Sequence, residues 1–302
     1  MADYLSKRPY TPLSFTEMNG MRALMPGATE EGYQRTIDAL QVQRGIEVSD
    51  ITYTSDGLKI TGIEVLPKQK PNEKVPLVIF NRGGSGNFGM LNAYQISSMM
   101  VPFAQHMRAG VLASNYRGNG GSEGREEWGG ADVNDVLKLI EIGKQQPWWD
   151  GKNIFMIGWS RGCMMNYLAL KAGVQVNAVV SGAGVSNLFL ENDRRPEMEK
   201  VCAHFIPNFA QDREALLAAR SPIFWPEKIT APLLLLHGDQ DDRVDVGESR
   251  RLHNALKDLG KPVNYIEFSG GDHGLRAHHV EVIDAAVEWF ERHKCKMIEQ
   301  AP

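Results

Sequence analysis

Asn153-Ile154-Phe155-Met156-Ile157-Gly158-Trp159-Ser160-Arg161-Gly162-Cys163-Met164-Met165-Asn166-Tyr167-Leu168 is the stretch whose reading decides the fold. Asn153–Ile157 is a short run of bulky apolar residues, the mark of a buried strand. From Cys163 onward the pattern is helical. Between them a serine stands flanked by glycines in a tight turn. A Cβ at position 158 or 162 would crowd such a turn, because strand and helix approach closely there. Strand, Gly-x-Ser-x-Gly turn, helix is the setting in which a serine hydroxyl is lifted clear of a sheet to act as a nucleophile. The same turn aims the backbone N–H of Arg161 at the place where an oxyanion would form. The plainer reading is a strand-to-helix loop whose serine caps the helix.

The flanking sequence repeats this grammar. Continuous apolar runs at Leu77–Phe80, Val111–Tyr116, Ala178–Ser181, Leu233–Leu236 and Asn264–Phe268 alternate with amphipathic helices. Val133/Val136/Leu137/Ile140, Leu252/Ala255/Leu256/Leu259 and Val280/Ile283/Val287/Phe290 keep helical spacing. Runs without alternation are strands buried on both faces, as in a parallel sheet covered by helices. Ahead of them, residues 46–54 and 58–66 alternate apolar and polar about Ser55-Asp56-Gly57, which predicts an antiparallel hairpin. The expectation is an α/β fold of the α/β-hydrolase type: a mostly parallel, eight-stranded sheet with helices on both faces. Residues 1–45 are read as an N-terminal arm plus a helix over about 28–44, N-capped by Thr29. Residues 46–295 are read as the α/β-hydrolase domain. Its pattern loosens over about 185–229, the candidate helical lid.

The 302 residues carry a net charge of −4 and 42% hydrophobic residues, enough for a large core and no bulk case for nucleic acid or an anionic membrane. The N-terminus has no apolar h-region and no apolar run nears membrane-spanning length, so a soluble, cytoplasmic chain is expected. Cys163, Cys202 and Cys295 form neither a disulfide framework nor a metal spacing, and no metal or organic cofactor is expected. Cys163 is read as a small core residue behind Ser160.

A serine nucleophile needs a base, and the base an orienting carboxylate. In this kind of sheet they follow in the order serine, acid, histidine. Leu233-Leu-Leu-Leu-His237-Gly-Asp239-Gln-Asp241-Asp242-Arg-Val places three competing carboxylates just past a strand. The next strand runs into Ser269-Gly-Gly-Asp-His273-Gly, which puts His273 at the same end of the sheet. His278 and His279 are read one to two turns into the last helix, facing solvent or packing, and His237 as organising backbone. A second oxyanion donor is expected from Asn81-Arg82-Gly83-Gly84-Ser85-Gly86, at Gly83 or Gly84. This loop lacks the endings that bind phosphate.

Three stretches together resemble the catalytic domain of the prolyl oligopeptidase family of serine hydrolases. They are Asn115-Tyr-Arg-Gly-Asn-Gly-Gly-Ser-Glu-Gly with Trp128-Gly-Gly-Ala-Asp following; Gly158–Gly162; and Ser221-Pro-Ile with His237-Gly-Asp-Gln-Asp-Asp-Arg-Val and Gly271-Asp-His-Gly. The resemblance covers about residues 75–292. In the family's H-G-x-x-D-x-x-V pattern the acid is the fifth position, so it implies Asp241. Two departures bear on specificity. About 70 residues precede the resembling region, too few for the family's β-propeller, and Arg82 stands where a His-Gly-Gly loop is usual.

The function implied is a serine hydrolase cleaving a carboxylic ester or related acyl bond through an acyl-enzyme, with Ser160, Asp241 and His273 catalytic. An aminopeptidase or oligopeptidase is the alternative within enzymes, and a non-catalytic binding module the alternative outside them. The expected partner is a small-molecule or short-peptide acyl substrate, with a homo-oligomer left open. Arg82, Trp159 and Arg194 are candidate substrate contacts. Trp159 is otherwise read as packing beneath the elbow, and Arg194-Arg195 as a solvated pair. Arg117 is read as a structural ion pair with Asp132. Trp148, Trp149 and Trp225 are read as packing.

Overall fold

The computed structural model describes residues 4–17, 29–43, 45–70 and 72–295. Among them nine strands form one sheet: β1 (Ser6–Pro9), β2 (Ile46–Ser55), β3 (Leu58–Pro67), β4 (Val75–Asn81), β5 (Gly110–Ser114), β6 (Trp149–Trp159), β7 (Ala178–Gly182), β8 (Leu233–Gly238) and β9 (Val263–Phe268). The order is β1-β2-β3-β5-β4-β6-β7-β8-β9. The pairs β1/β2, β2/β3 and β3/β5 are antiparallel, and every pair from β5/β4 to β8/β9 is parallel.

The eight strands read from the sequence are all present, and the ninth is the correction. β1 lies wholly exposed and reads Ser-Lys-Arg-Pro, so no alternation announces it. Backbone pairing to β2 and a tie from the Tyr4 hydroxyl to the buried Glu64 carboxylate (2.6 Å) hold it in place.

The helices are α1 (Glu30–Val42), α2 (Ala93–Gln95), α3 (Val101–His106), α4 (Val133–Gly143), α5 (Arg161–Lys171), α6 (Leu188–Arg194), α7 (Glu197–Phe205), α8 (Phe209–Arg220), α9 (Gly247–Asp258) and α10 (His279–His293). A five-residue π turn, Ile96–Met100, joins α2 to α3. Thr29 caps α1 by accepting from the Gly32 N–H, the role its position predicts.

The unbroken apolar strands divide their side chains between two cores. Leu77 and Ile79 of β4, Ile154 and Met156 of β6, and Leu233 and Leu235 of β8 join α4, α5 and α9. Their neighbours Val78, Phe80, Phe155, Ile157, Leu234 and Leu236 join α1, α3 and α10 on the other face. Side chains alternate along a strand, so a strand with helices on both faces must be apolar throughout. The helices α6, α7 and α8 fill the stretch read as a lid. No helix among the described residues is long and apolar enough to cross a membrane.

Arg117 departs from its expected partner. Its guanidinium meets Asp135 Oδ1 at 2.8 Å and Asp56 Oδ2 at 2.7 Å, and its backbone N–H meets Asp135 Oδ2 at 2.7 Å. Asp135 lies one turn after Asp132 and faces the hairpin, while Asp132 is turned to the elbow. Asp135 is fully buried. Asp135→Ala removes the buried partner and leaves the Arg117 guanidinium only the more exposed Asp56, and the expected loss of stability is about 3 kcal/mol, read as a lower midpoint in urea unfolding.

Candidate active site

The loops that follow the parallel strands β4, β6, β7, β8 and β9 open into one cavity of about 1080 Å³, lined among others by Gly83, Gly84, Ser160, Arg161 and His273. Ser160 follows β6 with φ 54° and ψ −122°, a strained conformation for a residue with a side chain. Its N–H donates to Gly182 O (2.8 Å) and its carbonyl accepts from Cys163 N (2.9 Å). The strain is held from below. A Cβ on Gly162 would lie 1.9 Å from Asn81 O, so only glycine lets α5 seat against β4. Cys163 is buried, its thiol pushed up by desolvation, with Gly158 O and Gly182 O within 3.3 Å.

The glycine loop after β4 lies directly on this turn. A Cβ on Gly83 would come within 2.9 Å of Trp159 O and 3.3 Å of Ser160 Cβ. What fixes the loop corrects the sequence reading of Arg82. Its side chain is fully buried and does not reach the cavity. Nε and Nη2 donate to Asn115 O (3.2 and 2.7 Å), Nη1 to Gly83 O (3.0 Å) and Nη2 to Gly86 O (3.3 Å). Burial, with Arg161 nearby, lowers its pKa to about 10. Five fixed donors in one plane suit a loop that turns its carbonyls inward. Arg82 therefore braces the loop from behind.

Arg161 does the same from the other side. Its guanidinium pairs with Asp132 and with Glu126 (2.5 Å) and donates to Gly84 O (3.1 Å). Glu126 in turn accepts from the Gly86 N–H (2.7 Å). The guanidiniums of Arg82 and Arg161 lie 4.9 and 5.0 Å from the Tyr116 ring centroid. Sequence spacing shows none of this network, because its members come from five separate segments.

The three carboxylates after β8 have separate fates. Asp239 Oδ1 accepts from Gly270 N (2.7 Å) and so ties the acid-bearing loop to the histidine-bearing one. Asp242 is exposed at the cavity rim. Asp241 Oδ2 accepts from His273 Nδ1 at 2.8 Å, and its Oδ1 accepts from the N–H groups of Arg243 (2.8 Å) and Val244 (2.9 Å). Burial works to raise the Asp241 pKa, but hydrogen bonds from His237, His273 and the Val244 N–H outweigh it. The carboxyl is held well below the usual range. Beyond organising backbone, the role its place in the sequence suggests, His237 brings its Nε2 to 3.1 Å from Asp241 Oδ2.

Trp159 lines the cavity, and its indole N–H donates to His273 O (2.8 Å), linking the elbow to the histidine loop. Arg194 does not line it: its guanidinium donates to Asp242 O and Arg243 O (both 3.0 Å). Arg195 faces the cavity instead, beside the buried Glu191 (3.3 Å), whose pKa desolvation raises to about 7. Arg194 is the last residue of α6, and Arg195 leaves the helix with φ −129° and ψ 81°, so the two neighbouring side chains take different directions. His278 bonds Ser269 O (3.1 Å), and His279 opens α10 at the cavity rim, because that helix begins later than its spacing suggested. Trp148 and Trp225 are buried, the latter donating to Ala218 O (3.0 Å).

A model described as the prolyl oligopeptidase family matches residues 95–296, two thirds of the chain. This chain belongs to the prolyl oligopeptidase family of serine hydrolases. Within that family it is similar to an uncharacterized Bacillus subtilis peptidase, YtmA. The two are 31% identical over 229 residues, which cover 76% of this chain and 86% of that one. It is 27% identical to the human acylamino-acid-releasing enzyme over 256 residues, 78% of this chain and 34% of that one. Among solved structures, an acylaminoacyl peptidase of Pyrococcus horikoshii superposes with a TM-score of 0.71 at 27% identity, over 88% of this chain and 44% of that one. The chain thus spans less than half the length of these last two prolyl oligopeptidase relatives. The matched residues begin after the Arg82 loop.

Trp159→Phe keeps the ring and removes the donor to His273 O. The expected result is a fall in kcat of about tenfold with Tm nearly unchanged, since displacing a reacting group by even 1 Å can cost about 10².

Proposed function

We propose that Ser160, Asp241 and His273 are a catalytic triad and that the chain hydrolyses acyl bonds of short peptides or acylated amino acids through an acyl-enzyme. The carrying observation is the Asp241 Oδ2–His273 Nδ1 hydrogen bond at 2.8 Å, opening onto the cavity that the strained Ser160 also lines. In this mechanism Ser160 Oγ bonds to the substrate carbonyl carbon as His273 Nε2 takes its proton. The N–H of Arg161, with that of Gly83 or Gly84, receives the oxyanion. Collapse breaks the bond to the leaving group, which leaves with the proton from His273. Water then repeats the sequence and releases the acid. Asp241 stays ionised throughout, stabilising the imidazolium and fixing its tautomer.

The cavity volume suits a short peptide. Trp128, Met164, Leu188, Met198 and Val201 give it an apolar wall for an apolar side chain or acyl group. The names of the relatives, peptidases and acylamino-acid-releasing enzymes, support the peptide reading. Esters are the second reading, since the same apolar wall accepts an acyl chain with no peptide attached. A cytoplasmic setting belongs to the same proposal and is supported by the unpaired thiols of Cys163, Cys202 and Cys295.

The test is a panel of aminoacyl, N-acetyl-aminoacyl and Gly-Pro anilides beside p-nitrophenyl esters, run on wild type, Ser160→Ala and Asp241→Asn. The expected outcome is anilide turnover that vanishes in Ser160→Ala and falls by about 10⁴ in Asp241→Asn. Turnover of esters alone overturns the peptidase assignment. A Ser160→Ala chain that keeps its activity overturns the triad.

A further inference from the structure

His237, near the end of β8, has a fully buried imidazole. Its Nε2 lies 3.1 Å from Asp241 Oδ2 and 3.1 Å from Val244 O, and its Nδ1 lies 2.7 Å from Ser249 Oγ. An ionised carboxylate and a carbonyl only accept, so these partners assign the proton to Nε2. Nδ1 then accepts from the Ser249 hydroxyl. The oxygen that His237 meets is the one that also accepts from His273. With Arg243 N and Val244 N on Oδ1, Asp241 receives four donors, which fills the lone-pair sites of a carboxylate.

We propose that His237 is a positioning residue for the reaction: it donates Nε2–H to the same Asp241 oxygen that holds His273, fixing the carboxylate and limiting the charge it presents to that imidazole. This rests on the triad assignment above. One oxygen shared between two donors divides its charge. Without His237 the whole of that oxygen's charge falls on His273, which favours the protonated imidazole. A base that must be neutral to act then becomes active only at higher pH.

The other charged groups around this pair come from each packed element. Glu267 of β9 is the register partner of His237 and is tied to Arg250 of α9 (2.6 Å). Glu248 of α9, next to Ser249, accepts from Ser186 (2.7 Å). Asp239 is bound to Gly270, and Asp242 and Asp272 sit at the cavity rim. None is altered by the variants below, so they set a constant background.

The test follows the rate of Ser160 labelling by a fluorophosphonate from pH 5 to 9, which needs no knowledge of the natural substrate. Wild type, His237→Leu, His237→Gln and Ser249→Ala are compared, with Ser160→Ala as the blank. In His237→Leu the acid-side midpoint is expected to rise by about 0.5–1 pH unit and the plateau rate to fall by about tenfold. His237→Gln carries an N–H at similar reach and is expected to return the midpoint toward wild type. Ser249→Ala frees the other tautomer and is expected to move the midpoint the same way as Leu, by less. A midpoint unmoved in His237→Leu, or moved equally by Gln and Leu, overturns the proposal. If His237→Leu does not fold, an unmoved midpoint in Ser249→Ala overturns it. Wild type left unlabelled at Ser160 overturns the triad assignment, and this proposal with it.

Discussion

The contact between the first turn of α5 and the end of β4 sets the geometry of everything above it. Gly162 sits where any Cβ would strike Asn81 O, and the Asn81 side chain donates to Asn166 Oδ1 (2.9 Å) on the same helix. Asn166 donates onward to Val180 O (3.0 Å). One helix is thereby fastened to β4 and β7 while it continues from β6. That rigidity is what sustains the positive φ at Ser160, since a strained backbone persists only where its surroundings over-determine it.

A second constraint is the handling of charge beneath the cavity floor. Two buried guanidiniums, Arg82 and Arg161, flank one tyrosine ring and are distributed over loop carbonyls and two buried carboxylates. Burying ions costs several kcal/mol each unless they are paired, so such a cluster permits few arrangements. The consequence is a glycine-rich loop that is chemically open toward the cavity and fully anchored behind it. An arginine, Arg82, braces this loop from behind.

The loops after β8 and β9 are joined in a comparable way. Asp239 binds Gly270, Gln240 N donates to Gly271 O (3.0 Å), and Trp159 reaches across to His273 O. Asp241 and His273 are 32 residues apart in the chain, yet their separation is set by short bonds between their own loops and to the elbow. Helix α6 is fastened to the loop after β8 through Arg194, which donates to Asp242 O and Arg243 O.

Periodicity by itself determined the sheet and its helices. A strand covered on both faces has no polar positions, and an amphipathic helix has one apolar stripe; both facts are local and survive in one dimension. The Gly-Ser-Gly turn and the hairpin were legible because adjacent residues set each of them. What only the tertiary structure decided depends on residues far apart in sequence meeting in space. It chose Asp135 over Asp132 for Arg117, turned Arg82 inward, brought Arg195 rather than Arg194 to the cavity, and set His237 against Asp241. It also added β1, whose pairing is made by backbone groups that every residue carries, so its side chains leave no trace of it.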